Sequence, residues 1–543
     1  MLLIHPPVAK VSEPPVGIAV LAGVLERAGV ACSVLDLNLL GLEGLIRGPV
    51  SGEDVWTRRA LRHRDENLRA IRHRGTYTDL DRYTRVVMDL NRLVERSTVN
   101  TSAPGRRISL ANYLDEGLAP TRSQDLLRAA ESPDANPFVP ILATQLTRTM
   151  ETAQPTAVGF SLNYLSQALC TFALIGFIRR SWPDVVIILG GGLVTSWAGR
   201  LRSGDDIFRG NPSQPRWNHG ERPAGSKANP SGCFDTKIFG GLVNTLIAGP
   251  GEAGLLQLVD SRSPEKGGHG LPKYAGFAFD DYFAPGRILP YAASRGCYWN
   301  RCAFCPEPAE GNRFIPMGHR HVVRDLRVLS ELHHPALIHM VDNAISPALL
   351  DALIQEPPGA PWYGFVRFSR RLTDPDFCRA LRRAGCVMLK LGLESGSQSV
   401  LDQEGKGVEL ALAEAGLKSL KSAGIASYVY LLFGTPSESV VEARTTLALT
   451  ARLSNEIDFL NVAVFNLPLT GRARADVETL PHADDLSLYA SFRHPKGWDR
   501  RAVRRFLDRE FRRHPAIAAI LRRDPPLFTS NHAPFFVRGL GAE

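Results

Sequence analysis

Two successive series of short apolar strands alternating with amphipathic helices predict an α/β chain: a doubly wound parallel-sheet domain followed by a barrel or partial barrel of six strand-helix cycles. Three observations carry that reading. The strand and helix periods alternate in two separate blocks, a stretch rich in Gly, Pro and charge divides them, and 543 residues exceed what one compact core accommodates.

The first block opens with the strand "LLIH", stopped by "PP", and continues with the helix "VGIAVLAGVLERAG" (16 to 29), whose Ile18, Leu21, Ala22 and Leu25 form one stripe and whose Gly29 ends it. "CSVLDLN" is the next strand. An Arg-rich, largely helical stretch at about 46–150 then interrupts the rhythm and reads as an insertion. The alternation resumes with the strand "AVGFSLNY", the helix "SQALCTFALIGFIRRSWP", the strand "VVIILGGG", a Gly/Pro/Ser/Asn-rich loop from 203 to 232, and "TLIAGPGEAGLLQLVDS". Domain one is expected to span 1–262, with ligand at the carboxyl ends of its strands. A linker at 263–285 follows from the composition of "SPEKGGHGLPKY". The barrel is expected over 286–470, with strands at "RILPYAAS", "ALIHMVD", "WYGFVRF", "VMLKLGLE", "SYVYLLFG" and "FLNVAVF" and its chemistry at their C-terminal ends. Residues 471–543 are expected to form a helical C-terminal region.

The composition, 44% hydrophobic and 22% charged, contains no apolar run near the roughly 20 residues that span a bilayer. No membrane association is expected. "MLLIHPPVAK" has no basic n-region leading into a longer apolar stretch, so no secretory signal is expected and the expected location is the cytoplasm. The net charge is +9, and "RRALRHRDENLRAIRHR" (58 to 74) is locally very basic. It reads either as a nucleic-acid contact or, with Leu61, Leu68 and Ile71 at near-helical spacing, as a solvated helix. The helix is favoured, because no RNA-binding signature accompanies it.

Of eight cysteines, five are scattered singly (Cys32, Cys170, Cys233, Cys378, Cys386), where buried thiols are the plain expectation. The other three, Cys297, Cys302 and Cys305, make a C-x4-C-x2-C loop just after the first barrel strand, within "SRGCYWNRCAFC". A zinc site with His319 or His321 as fourth ligand is one alternative, and a disulfide or an accidental cluster another. A 4Fe-4S cluster accounts for the count better, because three thiolates hold three corners and leave one iron open to a small molecule.

The loop resembles the cluster loop of radical S-adenosylmethionine (SAM) enzymes, with one residue more than the usual C-x3-C-x2-C. Two further segments follow in that family's order: "LGLESGSQSVLDQEGKG" (391 to 407), resembling a fourth-strand segment that carries a Glu, and "YLLFGTPSES" (430 to 439), resembling a fifth-strand G-x-P-x-E segment. The resemblance implies that the open iron chelates SAM. It implies a SAM contact from Phe304, whose counterpart touches the adenine through its backbone, and a hydrogen bond from Glu394, for which a solvated strand-end acid is the plain alternative. Arg367, ending the third strand, is expected to meet the SAM carboxylate as a fork, a surface pairing being the competing reading. Asp342 and Asn343 end the second strand at the same mouth.

A doubly wound domain ahead of such a barrel resembles the cobalamin-binding radical SAM enzymes, over roughly residues 1 to 470. The matching stretches are the "HPP...PPVGIAVLAGVLERAGV...VLDLN" opening, "GFSLNY", "ILGGG" and "AGPGE". The resemblance implies cobalamin contacts from Ser161, Leu162, Asn163, Tyr164, Gly190, Gly191, Gly192, Gly249, Pro250, Gly251 and Glu252. The glycines suit close approach of backbone to a bulky ligand. The D-x-H-x-x-G motif that supplies a histidine to cobalt is missing, since "DLNLLG" (36 to 41) has Asn in place of His and follows the second strand. No histidine ligand below the cobalt is therefore expected.

The resemblance implies a C-methyltransferase acting on an unactivated carbon of a small-molecule or carrier-bound substrate, with one SAM for the 5′-deoxyadenosyl radical and a second to remethylate cobalamin. A secondary-metabolite pathway is the expected setting, and the "CYWNRC" loop is similar to that of pyrrole methyltransferases of aminocoumarin antibiotic biosynthesis. An external electron donor of the flavodoxin or ferredoxin type is implied. A ring-forming or rearranging enzyme that uses cobalamin without methyl transfer is the alternative, and a tRNA-modifying enzyme a more distant one.

Overall fold

The computed structural model describes the chain except for residues 99–104, 204–232, 235–236, 260–269, 470, 472, 474–476, 482–483, 528–531 and 538–543. The loop expected at 203–232 thus lies, apart from its first residue, outside the described residues.

The first sheet contains β1 (Leu2–His5), β2 (Ser33–Asp36), β3 (Ala157–Ser161), β4 (Val186–Gly190), β5 (Cys233–Phe234) and β6 (Thr245–Ile247). Its order is β2-β1-β3-β4-β6-β5, parallel except for β5. Strand order reverses at β1, so the carboxyl ends of β1 and β3 open a crevice. Leu2 and Ile4 are fully buried, and so are Val158 and Leu189, as strands covered on both faces require. The helix Val16–Arg27 starts behind Pro14 and Pro15 and ends where Gly29 and Val30 bond back to Glu26 and Leu25, a left-handed glycine closing the last turn. Between β2 and β3 the insertion folds as helices Val55–Arg62, Arg64–Ala70, Leu80–Glu95, Ser123–Glu131 and Val139–Ala153 with a small hairpin, Arg106–Ile108 against Tyr113–Asp115. Its basic stretch is helical: Leu68 and Ile71 are buried, while Arg59 pairs with Asp89 and Arg72 lies 5.3 Å above the Phe283 ring.

The second sheet is a partial barrel of six parallel strands in sequential order: β7 (Ile288–Tyr291), β8 (Leu337–Met340), β9 (Trp362–Val366), β10 (Cys386–Glu394), β11 (Ala426–Phe433) and β12 (Phe459–Val464). Ile338, Leu389, Leu391, Val429 and Leu460 point outward beneath the helices, and alternate residues point into the lumen. At the foot of the lumen Ile288, Leu337, Tyr428 and Phe459 pack with Ala533, and His532 stacks on Tyr428 at 4.2 Å. The chain's C-terminal segment therefore seals the foot of the barrel. No described helix is long and apolar enough to cross a membrane.

Two expected boundaries need correction. Residues 270–285 are no loose linker: Tyr274, Phe277, Phe279, Tyr282 and Phe283 are buried, and the Tyr282 hydroxyl donates to Asp36 at 2.6 Å. Gly and Pro mark the start of this stretch, but the aromatic run after it carries enough apolar area to dock both units together. The C-terminal region is helical only from Arg500; its first part pairs short extended segments, Leu467–Pro468 with Tyr489–Ala490 and Glu478–Thr479 with Phe492–Arg493.

Candidate functional site

The carboxyl ends of both sheets face one cavity of about 950 Å³. On the first-domain side its wall is built from Ser161, Asn163, Gly190 to Gly192, Thr195 and Gly249 to Glu252, together with Val16, Gly17 and Leu21 at the start of the first helix. On the barrel side it reaches Ser294, Arg295, Gly296, Glu307, Glu310 and Asn343. The described lining contains no histidine and no cysteine, and none of it comes from the insertion.

The first-domain wall is largely backbone. Gly191 has φ +111°, and a Cβ there would lie 2.4 Å from the Leu162 carbonyl oxygen, so this glycine is required by the chain's own β3 turn. Asn163 ties the two turns together, its side-chain oxygen accepting from the Gly192 N–H at 3.0 Å and its amide donating to Ser161 Oγ at 3.1 Å. Two residues expected here stand elsewhere. Leu162 is fully buried below the turn and Tyr164 is 55% exposed, because side chains alternate as β3 ends and Tyr164 caps the following helix. Glu252 does line the wall, but it forms an ion pair with Arg295 of the cluster loop and so joins the two domains.

The cysteine loop is fixed at its start and in its middle. At its start Asp342, buried rather than facing the mouth, accepts from the Ala293 N–H at 3.1 Å and from the Ser294 hydroxyl. Its middle rests on the turn 404–407: the Ala303 N–H donates to the Glu404 carbonyl at 2.9 Å and the Trp299 indole to the Gly405 carbonyl at 2.8 Å. Gly407, at φ +62°, leaves room for the Trp299 ring, which a Cβ would overlap at 2.0 Å. Cys297, Cys302 and Cys305 are free thiols. Burial pushes the Cys305 thiol up to about 12, with the neighbouring Cys302 and Cys297 adding to the rise. Such thiols deprotonate when a metal takes them as ligands. His321 turns to Arg324 and Asp325 instead, and among the described residues no three Cys, His, Asp or Glu side chains gather around a single-ion position.

Across from the loop, Glu394 and Arg367 are neither solvated nor at a surface. The Lys406 Nζ donates to Glu394 Oε1 at 2.8 Å, with Lys406 buried and Glu394 17% exposed. Arg367 stacks over Trp299 at 4.3 Å and donates to the Lys406 carbonyl. Lys406 Nζ also stands 5.6 Å from the centre of the Phe304 ring. Phe304, Arg367 and Glu394 are thus brought together, and Lys406 and Trp299 are the members that sequence reasoning missed. The "GKG" at 405–407 is the signal that could have found Lys406. Glu394 itself has φ +66° where β10 bulges against β11, a left-handed conformation that costs a non-glycine about 1–3 kcal/mol and concentrates at functional sites.

Behind this cradle lies the 434–439 turn. Glu438 is fully buried, accepts from the Gly434 N–H and from the Trp498 indole at 2.9 Å, and is raised by burial to about 7. The Ser437 hydroxyl donates to Glu404 at 2.6 Å, so this turn supports the 404–407 turn and, through it, the cluster loop.

No protein-family model matches the chain. An uncharacterized methyltransferase of Pyrococcus horikoshii is 24% identical over 204 residues, 36% of this chain and 43% of that protein. The chain therefore spans under half the length of the curated relative it matches. Among solved structures, the cobalamin-dependent S-adenosylmethionine radical enzyme OxsB with aqua-cobalamin bound superposes at a TM-score of 0.53 and 12% identity, over 93% of this chain and 66% of that one. The radical S-adenosylmethionine methyltransferase TsrM from Kitasatospora setae, solved with cobalamin and a 4Fe-4S cluster, gives 0.47 at 15% identity over 86% of this chain and 75% of that one. The overlap with OxsB runs through both domains, and the chain has the fold of a cobalamin-dependent radical SAM enzyme.

Proposed function

We propose, from that shared fold, that the protein is a cobalamin-dependent radical SAM C-methyltransferase acting on an unactivated carbon of a small molecule. The observation that carries the reading is that the start of the three-cysteine loop, Ser294 to Gly296, faces a glycine-lined wall of strand ends across one cavity. When bound, a 4Fe-4S cluster with SAM supplies a 5′-deoxyadenosyl radical able to take hydrogen from such a carbon, and cobalamin supplies a methyl group renewed from a second SAM.

The residues present fit those groups. Cys297, Cys302 and Cys305 would hold three corners of the cluster, their loop pinned by Asp342 and by the 404–407 turn. Glu394, Lys406 and Arg367 form a partly buried set of one acid and two bases, matched to a zwitterionic amino-acid end. Phe304 would present its backbone to the adenine. The side chains of Ser161 and Asn163, with the backbone of Gly190 to Gly192 and of Gly249 to Gly251, would line the corrin and its nucleotide tail, where short or missing side chains permit a bulky flat ligand. Glu252 would act through its pair with Arg295, holding the two walls at fixed separation. No histidine stands among the described residues of that wall.

Methyl transfer is favoured over an RNA-modifying role, because Arg59 and Arg72 of the insertion's basic stretch bond within the protein and no described residue of the insertion lines the cavity. A cytoplasmic setting and an external flavodoxin- or ferredoxin-type donor belong to the same reading. The test is incubation of anaerobically reconstituted protein with SAM and a strong reductant. Formation of 5′-deoxyadenosine supports the reading, and its absence from protein with full iron content counts against it.

A further inference from the structure

Inward-facing residues of the barrel change character in steps along the strands. At the lowest step His339, Tyr363, Lys390 and Tyr428 are buried. The next inward residue along each strand, Val341, Phe365, Gly392, Tyr430 and Asn461, is partly exposed, and beyond them stand Arg367 and Glu394. The upper part of the lumen is therefore partly exposed, whereas Lys390 and the residues below it are buried and the C-terminal segment packs at the foot.

The floor of this chamber carries a chain of charged groups that spans both domains. Glu13, on the loop between β1 and the first helix, pairs with Lys10 at 2.9 Å and approaches His339 Nδ1 at 2.8 Å. His339 Nε2 lies 3.2 Å from Lys390 Nζ. One tautomer satisfies both contacts: Nδ1–H donates to Glu13 and Nε2 accepts from Lys390. Burial holds the His339 imidazole neutral, at about 3. Asn38 keeps the loop in place, accepting from the Ala9 N–H at 2.8 Å and donating to the Ala9 carbonyl at 3.2 Å.

The charges do not cancel. Glu13 is matched by Lys10, His339 is neutral, and a protonated Lys390 leaves the network with one positive charge in excess. Removing an unmatched charge from water costs several kcal/mol, and burial accordingly lowers Lys390 to about 7. At the rim Glu394 is already engaged by Lys406, and Arg367 adds another positive charge. His339 is the only hydrogen-bond acceptor of the Lys390 ammonium among the described residues, so two of its three donors are left for a ligand. Its ammonium stands 5.0 Å from the Tyr363 ring centre and 5.1 Å from that of Phe365, and Phe365 and Tyr430 lie 4.9 Å apart along the wall above it.

We propose that Lys390 anchors the substrate by an anionic group, and that the substrate is a small, flat aromatic acid whose ring lies against Phe365 and Tyr430. This rests on the reading of the rim as the radical site, which the carbon farthest from the acid would then face. An aromatic ring matches the wall, and the anion supplies the charge that the floor lacks. Glu13 and His339 are positioning residues for the lysine, which places a first-domain loop in control of substrate recognition in the barrel.

The probes are benzoate and benzyl alcohol, of similar shape but different charge, titrated at pH 6.5 into the full-length chain purified with cobalamin supplied and followed by saturation-transfer NMR. Benzoate is expected to bind at least tenfold more tightly than benzyl alcohol, and Lys390→Met to remove that preference with an unchanged melting temperature. Equal affinity of the two probes for the wild type, or a preference retained by Lys390→Met, overturns the proposal. Should Lys390→Met fail to fold, benzoate protection of Lys390 against reductive methylation takes its place, and undiminished labelling overturns it. Iron and cobalt contents of the same preparation report separately on the methyltransferase reading, so failure of one is distinguishable from failure of the other.

Discussion

The first-domain cavity wall and the barrel's strand ends are made in opposite ways. The first-domain wall is turns of glycine, Ser161 and Asn163, with few charges, and the one acid on it, Glu252, is committed to the partner domain. The barrel interior and the ends of its strands instead carry charged and aromatic side chains held by one another: Glu394 by Lys406, Arg367 by Trp299, Lys390 by His339. Backbone walls admit a large rigid ligand through shape, whereas paired side chains orient a small charged one. On the proposed function, a single α/β plan would thus serve two recognition modes at its strand ends.

That contrast predicts different responses to mutation on the two sides. The largest effect is expected on the barrel side from Cys302→Ala, which should drop iron after anaerobic reconstitution from about four atoms per chain to under one, because two thiolates do not hold a cubane. Full iron retention in that variant would break the assignment of the loop. Next comes Glu438, whose carboxyl is raised to about 7 from an ordinary 4.5. The folded state binds a proton more readily than the unfolded chain, so stability is full below pH 4.5 and falls as pH rises to 7, by about 3 kcal/mol. Glu438→Gln should flatten that slope, seen as a melting temperature that no longer declines between pH 5 and 7.

On the first-domain side Gly191→Val should cost about 1–3 kcal/mol through its backbone conformation alone and weaken cobalamin uptake, measured as cobalt per chain, while iron stays in place. Loss of iron as well would show that the two walls are not independent. The smallest effect is expected from Glu394→Gln, about tenfold weaker SAM binding by equilibrium dialysis with the cluster retained, near 1.4 kcal/mol. Unchanged affinity would remove Glu394 from the SAM set.

What could be read from the sequence follows how local each feature is. The cysteine loop and the strand-end glycines are contiguous, so their spacing is visible in the chain; Ser294 to Gly296 at the start of that loop and Gly190 to Gly192 line one cavity. The six barrel strands and their sequential order follow from apolar runs of strand length. Lys406 was less visible, since its contact with Glu394 depends on two left-handed glycines that bring a turn back across the strand end. Glu13 was invisible: 326 residues separate it from His339, and nothing in "KVSEPP" marks an acid bound for a barrel lumen. Composition misled at 263–285, where Gly and Pro at the start concealed the buried aromatic run that follows, and at 471–498, where scattered polar residues conceal short paired strands.

The most direct test of the account is the iron and cobalt content of protein produced with cobalamin supplied and purified without oxygen, read with its ultraviolet-visible spectrum. Near-equimolar cobalt with about four irons per chain is the predicted result. Iron without cobalt would leave the barrel's chemistry standing and contradict the claim that the glycine wall holds a corrin.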